Sequence, residues 1–126
     1  MLQILTDEQI SPQVAVAARK LCRGIRITTV FEWLEGHFAG APDEEILRET
    51  ARQGLTLVSF DLRTIPPLLR AWGEQGIDHG GLIFVDDKSI PQNDVGGLAR
   101  SLCALWRLLG DAEWTNQCFF LQHPKR

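Results

Sequence analysis

The chain has 126 residues, 44% of them hydrophobic and 23% charged, with a net charge of −3 and a pI near 5.5. That length suits one domain, residues 1–126, whose core is large enough to need neither disulfide nor metal staples. The acidic balance excludes a broad basic surface for gripping nucleic acid, and no run approaches the roughly 18 apolar residues of a membrane span.

The first apolar positions give way at once to Asp7 and Glu8, a pattern unlike a signal peptide. Cys22, Cys103 and Cys118 are odd in number and form no CxxC pair, so reduced, buried thiols in a cytoplasmic protein are expected. "LQIL" (2–5) predicts a short first strand. Ser11 and Pro12 read as the N-cap and first residue of a helix, which Val14, Ala17, Ala18 and Leu21 carry as far as Gly24. Arg19, Lys20, Arg23 and Arg26 gather at its end, where the helix dipole favours cations. "RITTV" (26–30) predicts a second strand. Phe31, Trp33, Leu34 and Phe38 follow, but Gly36 and Gly40 interrupt any long helix there.

The next helix is predicted over 43–53, capped by Asp43, with Ile46, Leu47 and Ala51 facing inward and Gly54 ending it. "LTLVSF" (55–60) reads as a buried strand. Pro66 and Pro67 fit the first turn of a helix reaching Trp72. "GLIFV" (81–85) is a fourth strand, Asn93 or Asp94 caps the longest helix (95–109), and "QCFFL" (117–121) is the last strand. Strands alternating with helices predict a three-layer α/β/α domain around a mainly parallel sheet of about five strands.

That architecture locates the acids. Right-handed crossovers put every strand's carboxyl end on one rim. Asp7 and Glu8 follow the first strand, Asp61 the third, Asp86 and Asp87 the fourth, and Asp43 opens the helix that returns to the third. If the second and third strands flank the first, Asp7 and Asp61 are neighbours at the switch point where such sheets bind ligands. The basic cluster is expected on the opposite rim. Converging carboxylates repel unless paired, protonated or bridged by a hard cation, and Mg²⁺ needs only one or two of them. Such a site can activate water for phosphodiester cleavage. The competing explanation makes Asp43 an N-cap and Asp7 and Asp61 turn residues.

"LTDEQI" after the first strand, "DEEILRETA" and "GLTLVSFD" resemble the motifs of PIN-like domains, specifically a short bacterial branch. The likeness covers residues 2–12 and 40–61 and extends through "HGGLIFV" (79–85). It implies a Mg²⁺- or Mn²⁺-dependent ribonuclease acting on RNA, in many members the toxin of a toxin–antitoxin pair. By the same resemblance Asp7, Asp43 and Asp61 match the metal-binding catalytic acids; Glu8 or Glu44, each adjacent to one of them, is the candidate to stand in for a further acid. Asp43 would then both cap its helix and face the metal. Where many relatives carry another acid on a helix, this chain has only Glu32 and Glu35, and the third-strand motif ends "DLRT" with one acid. A non-catalytic RNA- or protein-binding module is therefore the alternative.

Other rim residues are open to two explanations. Arg63 and Lys88 are placed to meet an RNA backbone, or are solvated surface. Gly96 and Gly97 expose first-turn amides to a phosphate, or serve close helix–sheet packing. Phe31, Trp33 and Phe38 read as base-stacking groups, core cover or a homodimer seam. The apolar 95–109 helix reads as core or as a contact for an antitoxin or a second copy. His37, His79 and His123 lack metal-ligand spacing and suit structural or surface roles. A phosphorelay receiver shares the acids after the first and third strands. It also uses a hydroxyl after the fourth strand and a Lys after the fifth with a helix beyond, where this chain has "VDD" and the penultimate Lys125.

Overall fold

The computed structural model describes residues 1–123, so Lys125 lies outside the described residues. Ten elements follow the predicted alternation: β1 (Ile4–Thr6), α1 (Pro12–Leu21), β2 (Ile27–Thr29), a short 3₁₀ segment (Trp33–Gly36), α2 (Asp43–Gln53), β3 (Thr56–Ser59), α3 (Ile65–Glu74), β4 (Leu82–Phe84), α4 (Val95–Leu109) and β5 (Cys118–Phe120). The five strands form one sheet in the order β2-β1-β3-β4-β5, and every pairing is parallel. The central strands β1, β3 and β4 are buried at every residue, as a sheet covered on both faces requires.

Alternation along the strands divides the core in two. Ile4, Val58 and Ile83 face a cluster containing Val14, Ala15 and Ala18 of α1 and Leu98, Leu102 and Leu105 of α4. Leu5, Leu57, Leu82 and Phe84 face the other, with Ile46 and Leu47 of α2 and Ile65 and Trp72 of α3. The result is a doubly wound α/β/α sandwich whose strand order reverses between β1 and β3.

Local chemistry sets the element ends. Ser11 accepts a hydrogen bond from the Gln13 amide with Pro12 in the first helical turn, and Asp94 caps α4 by accepting from the Gly97 amide. Gly54 closes α2 at φ 70°, a left-handed position that suits glycine. Three expectations need correction. Pro42, not Asp43, is the N-cap of α2; Asp43 is its first helical residue and makes no capping bond. Thr50 rather than Ala51 completes the buried face of α2, its hydroxyl satisfied by the Leu47 carbonyl. Cys118 is exposed on edge strand β5, whereas Cys22 and Cys103 are buried where α1 meets α4.

Candidate functional site

The switch point between β1 and β3 brings four of the predicted acids together. One position past the Thr6–Val58 pair, Asp7 lies across from Ser59, and its amide bonds the Val58 carbonyl at 3.0 Å. Asp7 is 6% exposed, and both carboxylate oxygens are held. Oδ1 accepts from the Glu8 amide and Oδ2 from the Ser59 hydroxyl, each at 2.8 Å. Burial raises its pKa against the lowering effect of those bonds. Asp61 lies two residues beyond β3. Its Oδ1 accepts from the Arg63 and Thr64 amides at 3.0 and 2.8 Å, which tightens the turn into α3. Desolvation pushes its pKa up, but the amides of Thr64 and Arg63 outweigh it and hold the carboxyl below its usual range.

Asp43 enters from the first turn of α2. It lies close enough to Asp61 to share a proton with it, and it feels the charges of Asp7, Asp61 and Glu8. Desolvation first, then those charges, push its pKa up to about 6. Among the described residues no Lys or Arg forms an ion pair with any of the three aspartates. Glu8 is exposed beside them, and its Oε2 accepts from the Gly40 amide at 3.1 Å. That bond ties the 31–42 segment to the acidic rim. Within the segment, Leu34 and Glu35 hold left-handed backbone at φ 48° and 59°.

Ser59 escaped the sequence reading. Its buried hydroxyl donates to Asp7 and accepts from the Asp61 amide at 3.0 Å, so one side chain fixes two of the acids. The signal was present in the hydroxyl two positions before Asp61, at the end of an otherwise apolar strand.

The remaining candidates divide. Glu44 bonds Arg48 at 3.0 Å on the exposed side of α2 and is not among the charges acting on Asp43. Glu32 is drawn below its usual range by Arg19 and Thr28, which engages it at the edge of β2. Arg63 is exposed beside Asp61, in an open depression with Gln9 and Gln92. Lys88 belongs to the turn after β4, where its amide bonds Asp86. Gly96 lies in the first turn of α4 beside the Arg100 guanidinium, and the neighbouring Gly97 amide is already engaged by Asp94. Trp33 is buried and stacks on Phe38 at 5.0 Å, which leaves Phe31 as the exposed aromatic of that group. His79 is buried, and its Nδ1 accepts from the Gly81 amide.

Among the described residues, no three His, Cys, Asp or Glu side chains form a group able to hold a metal ion. The donor set still fits Mg²⁺ or Mn²⁺, which completes its shell with water around one or two carboxylates. Asp43 and Asp61 would be that pair, and Asp7 has both oxygens engaged by the Glu8 amide and the Ser59 hydroxyl. No helix among the described residues is long and apolar enough to cross a membrane. The chain matches no family model, no curated protein and no solved structure.

Proposed function

We propose that the chain is a Mg²⁺- or Mn²⁺-dependent endoribonuclease of the PIN-like type, with Asp7, Asp43 and Asp61 as its catalytic acids. The observation that carries this reading is their convergence from three separate segments at the sheet's switch point, with no cation paired to them among the described residues. A turn role explains the Oδ1 contacts of Asp61. It does not explain Asp43, which caps nothing and sits where its ionisation is opposed.

A divalent cation bound there supplies neutralising charge for a phosphate oxygen and activates water for phosphodiester cleavage. The chain's residues provide the frame. Asp43 and Asp61 offer the facing carboxylates. Ser59 and the Glu8 amide hold Asp7 in a single orientation. The turn amides of Arg63 and Thr64 keep Asp61 ionised. Arg63 and Lys88 flank the rim as contacts for the RNA backbone, and a toxin role with a rim-masking antitoxin belongs to the same reading.

The test is cleavage of single-stranded RNA by purified protein with Mg²⁺ or Mn²⁺. Activity should vanish with EDTA and in Asp61→Asn. Activity indifferent to both treatments would contradict the assignment, and RNA binding without cleavage would favour the non-catalytic module. The receiver reading shares the strand order and the acids after β1 and β3. A stable beryllofluoride or acetyl phosphate adduct on Asp61 would establish it instead.

A further inference from the structure

The two edges of the sheet are finished differently. β2 and β5 are its outer strands, and an outer strand presents unpaired peptide groups unless something covers them. On β2, the Ile4 amide bonds the Arg26 carbonyl and the Val30 amide bonds the Thr6 carbonyl, which turns residues 26, 28 and 30 toward β1 and leaves 27 and 29 facing outward. Most of that outward backbone is engaged. Arg19 donates to the Ile27 carbonyl at 2.6 Å, Glu32 Oε1 accepts from the Thr29 amide at 3.3 Å, and the Glu32 amide donates to the Thr29 carbonyl at 3.1 Å.

β5 has no such cover. The Leu82 amide bonds the Gln117 carbonyl and the Leu121 amide bonds the Phe84 carbonyl, so 117, 119 and 121 turn toward β4 while Cys118 and Phe120 face outward. Among the described residues, the Cys118 amide and carbonyl and the Phe120 amide have no hydrogen-bond partner, and the Phe120 carbonyl accepts only from the nearby Gln122 side chain, at 3.3 Å. The run 117–122 carries neither charge nor proline, the common guards of an edge. Its flanks are bare as well. Phe120 is 56% exposed on the face it shares with Phe84. On the other face a half-open groove of about 620 Å³ runs over α4 and β5, lined in part by Phe119, Leu121 and the 78%-exposed Leu108. The groove's guanidiniums are drawn elsewhere: Arg107 donates to the Leu21 carbonyl at the end of α1, and Arg100 lies beside Gly96 at the start of α4.

We propose that β5 pairs with β5 of a second copy of this chain, antiparallel about a twofold axis beside Phe119. An isologous contact needs a self-complementary edge, and this edge is one. The axis sets Cys118 opposite Phe120 of the second copy, a pair that exchanges both N–H···O bonds, and repeats it on the far side for about four interchain bonds. Side chains keep their faces, so the two Phe119 rings meet near the axis and the two grooves abut. A strand from another protein would satisfy the backbone alone. The second copy also brings a matching apolar flank to each face, with no charge on the paired strands.

Sedimentation equilibrium of the full chain under reducing conditions, from about 5 to 200 µM, should show a dimer that dissociates on dilution. Its mass should be twice the 14.2 kDa of one chain. Phe120→Lys puts a charge on the seam, and Cys118→Pro deletes an outward N–H while sparing the bonds to β4. Each should weaken association at least about tenfold. The urea midpoint of Phe120→Lys at low concentration should stay close to that of wild type, because the side chain is exposed. Register has its own readout in Cys118, since Cys22 and Cys103 are buried. Across the axis the two Cys118 Cα atoms lie about 9 Å apart, too far for a disulfide but within reach of a short bismaleimide. That reagent should link wild-type dimers and leave Cys118→Ser dimers unlinked. A chain monomeric up to about 200 µM would overturn the proposal and leave the edge to a strand of another protein. A dimer undiminished in both variants, or one whose Cys118 thiols stay unlinked, would also overturn it.

Discussion

Replacing Asp43 with Asn should stabilise the metal-free protein, and the gain should depend on pH. The Asp43 pKa is pushed from 3.8 to about 6 by desolvation and by the charges of Asp7, Asp61 and Glu8. A difference of that size corresponds to about 3 kcal/mol. Solvent and salt screen a half-buried side chain, which leaves about 1–2 kcal/mol. Asn removes that cost of desolvation and like charge but forgoes the attraction of a first-turn carboxylate to the helix dipole, about 0.5 kcal/mol. A net gain of about 1 kcal/mol remains. Because the folded pKa is raised, the native state holds the proton more tightly than the unfolded chain. The wild-type penalty is therefore absent below about pH 4, grows as pH rises, and is complete above about pH 6. Urea midpoints of wild type and Asp43→Asn in EDTA, from pH 4 to 8, should diverge across that window. Millimolar Mg²⁺ should then favour wild type, because the ion binds the assembled carboxylates and not the unfolded chain. A difference constant with pH, or a variant less stable at pH 7.5 in EDTA, would refute the repulsion argument.

Ser59→Ala should cost about 1–3 kcal/mol in a urea titration, since it leaves the buried Asp7 carboxylate a donor short and frees the Asp61 amide. It should also depress RNA cleavage more than Ser59→Thr does. Asp94→Ala should cost about 1 kcal/mol by uncapping α4, read as a lower denaturant midpoint. Gly54, just past α2, and Gly73, within α3, should respond with opposite signs. Gly54→Ala should destabilise by about 1 kcal/mol because φ is +70° there. Gly73→Ala, inside α3 with nothing within 4 Å of the new methyl, should stabilise by about 0.5 kcal/mol.

Much of the architecture was legible because each signal was local and redundant. Ser11-Pro12, Gly54 and Asp94 marked helix ends, and β-branched apolar runs between them marked strands buried on both faces. Those elements imply a parallel sheet, and the sheet put Asp7, Asp43 and Asp61 on one rim before any contact was known. What stayed hidden depends on register and exposure. Asp43 resembled a cap, but Pro42 supplies the turn into α2 and leaves its carboxylate for the cluster. Ser59 meets Asp7 across 52 residues, a pairing set by the β1–β3 register rather than by any spacing in the chain. Cys118 looked as apolar in context as its neighbours, yet β5 is an edge strand with its thiol exposed. The uncovered groove along α4 is invisible to periodicity, which reports that a helix is apolar and not which part of it remains bare.

The central claim is most directly tested by a crystal soaked in Mn²⁺, with data collected for the metal's anomalous signal. The account predicts a single strong peak between the Asp43 and Asp61 carboxylates, with Asp7 beside it, that disappears in Asp61→Asn. An acidic rim that stays empty at millimolar Mn²⁺, with the three carboxylates as they stand in the metal-free protein, would contradict it.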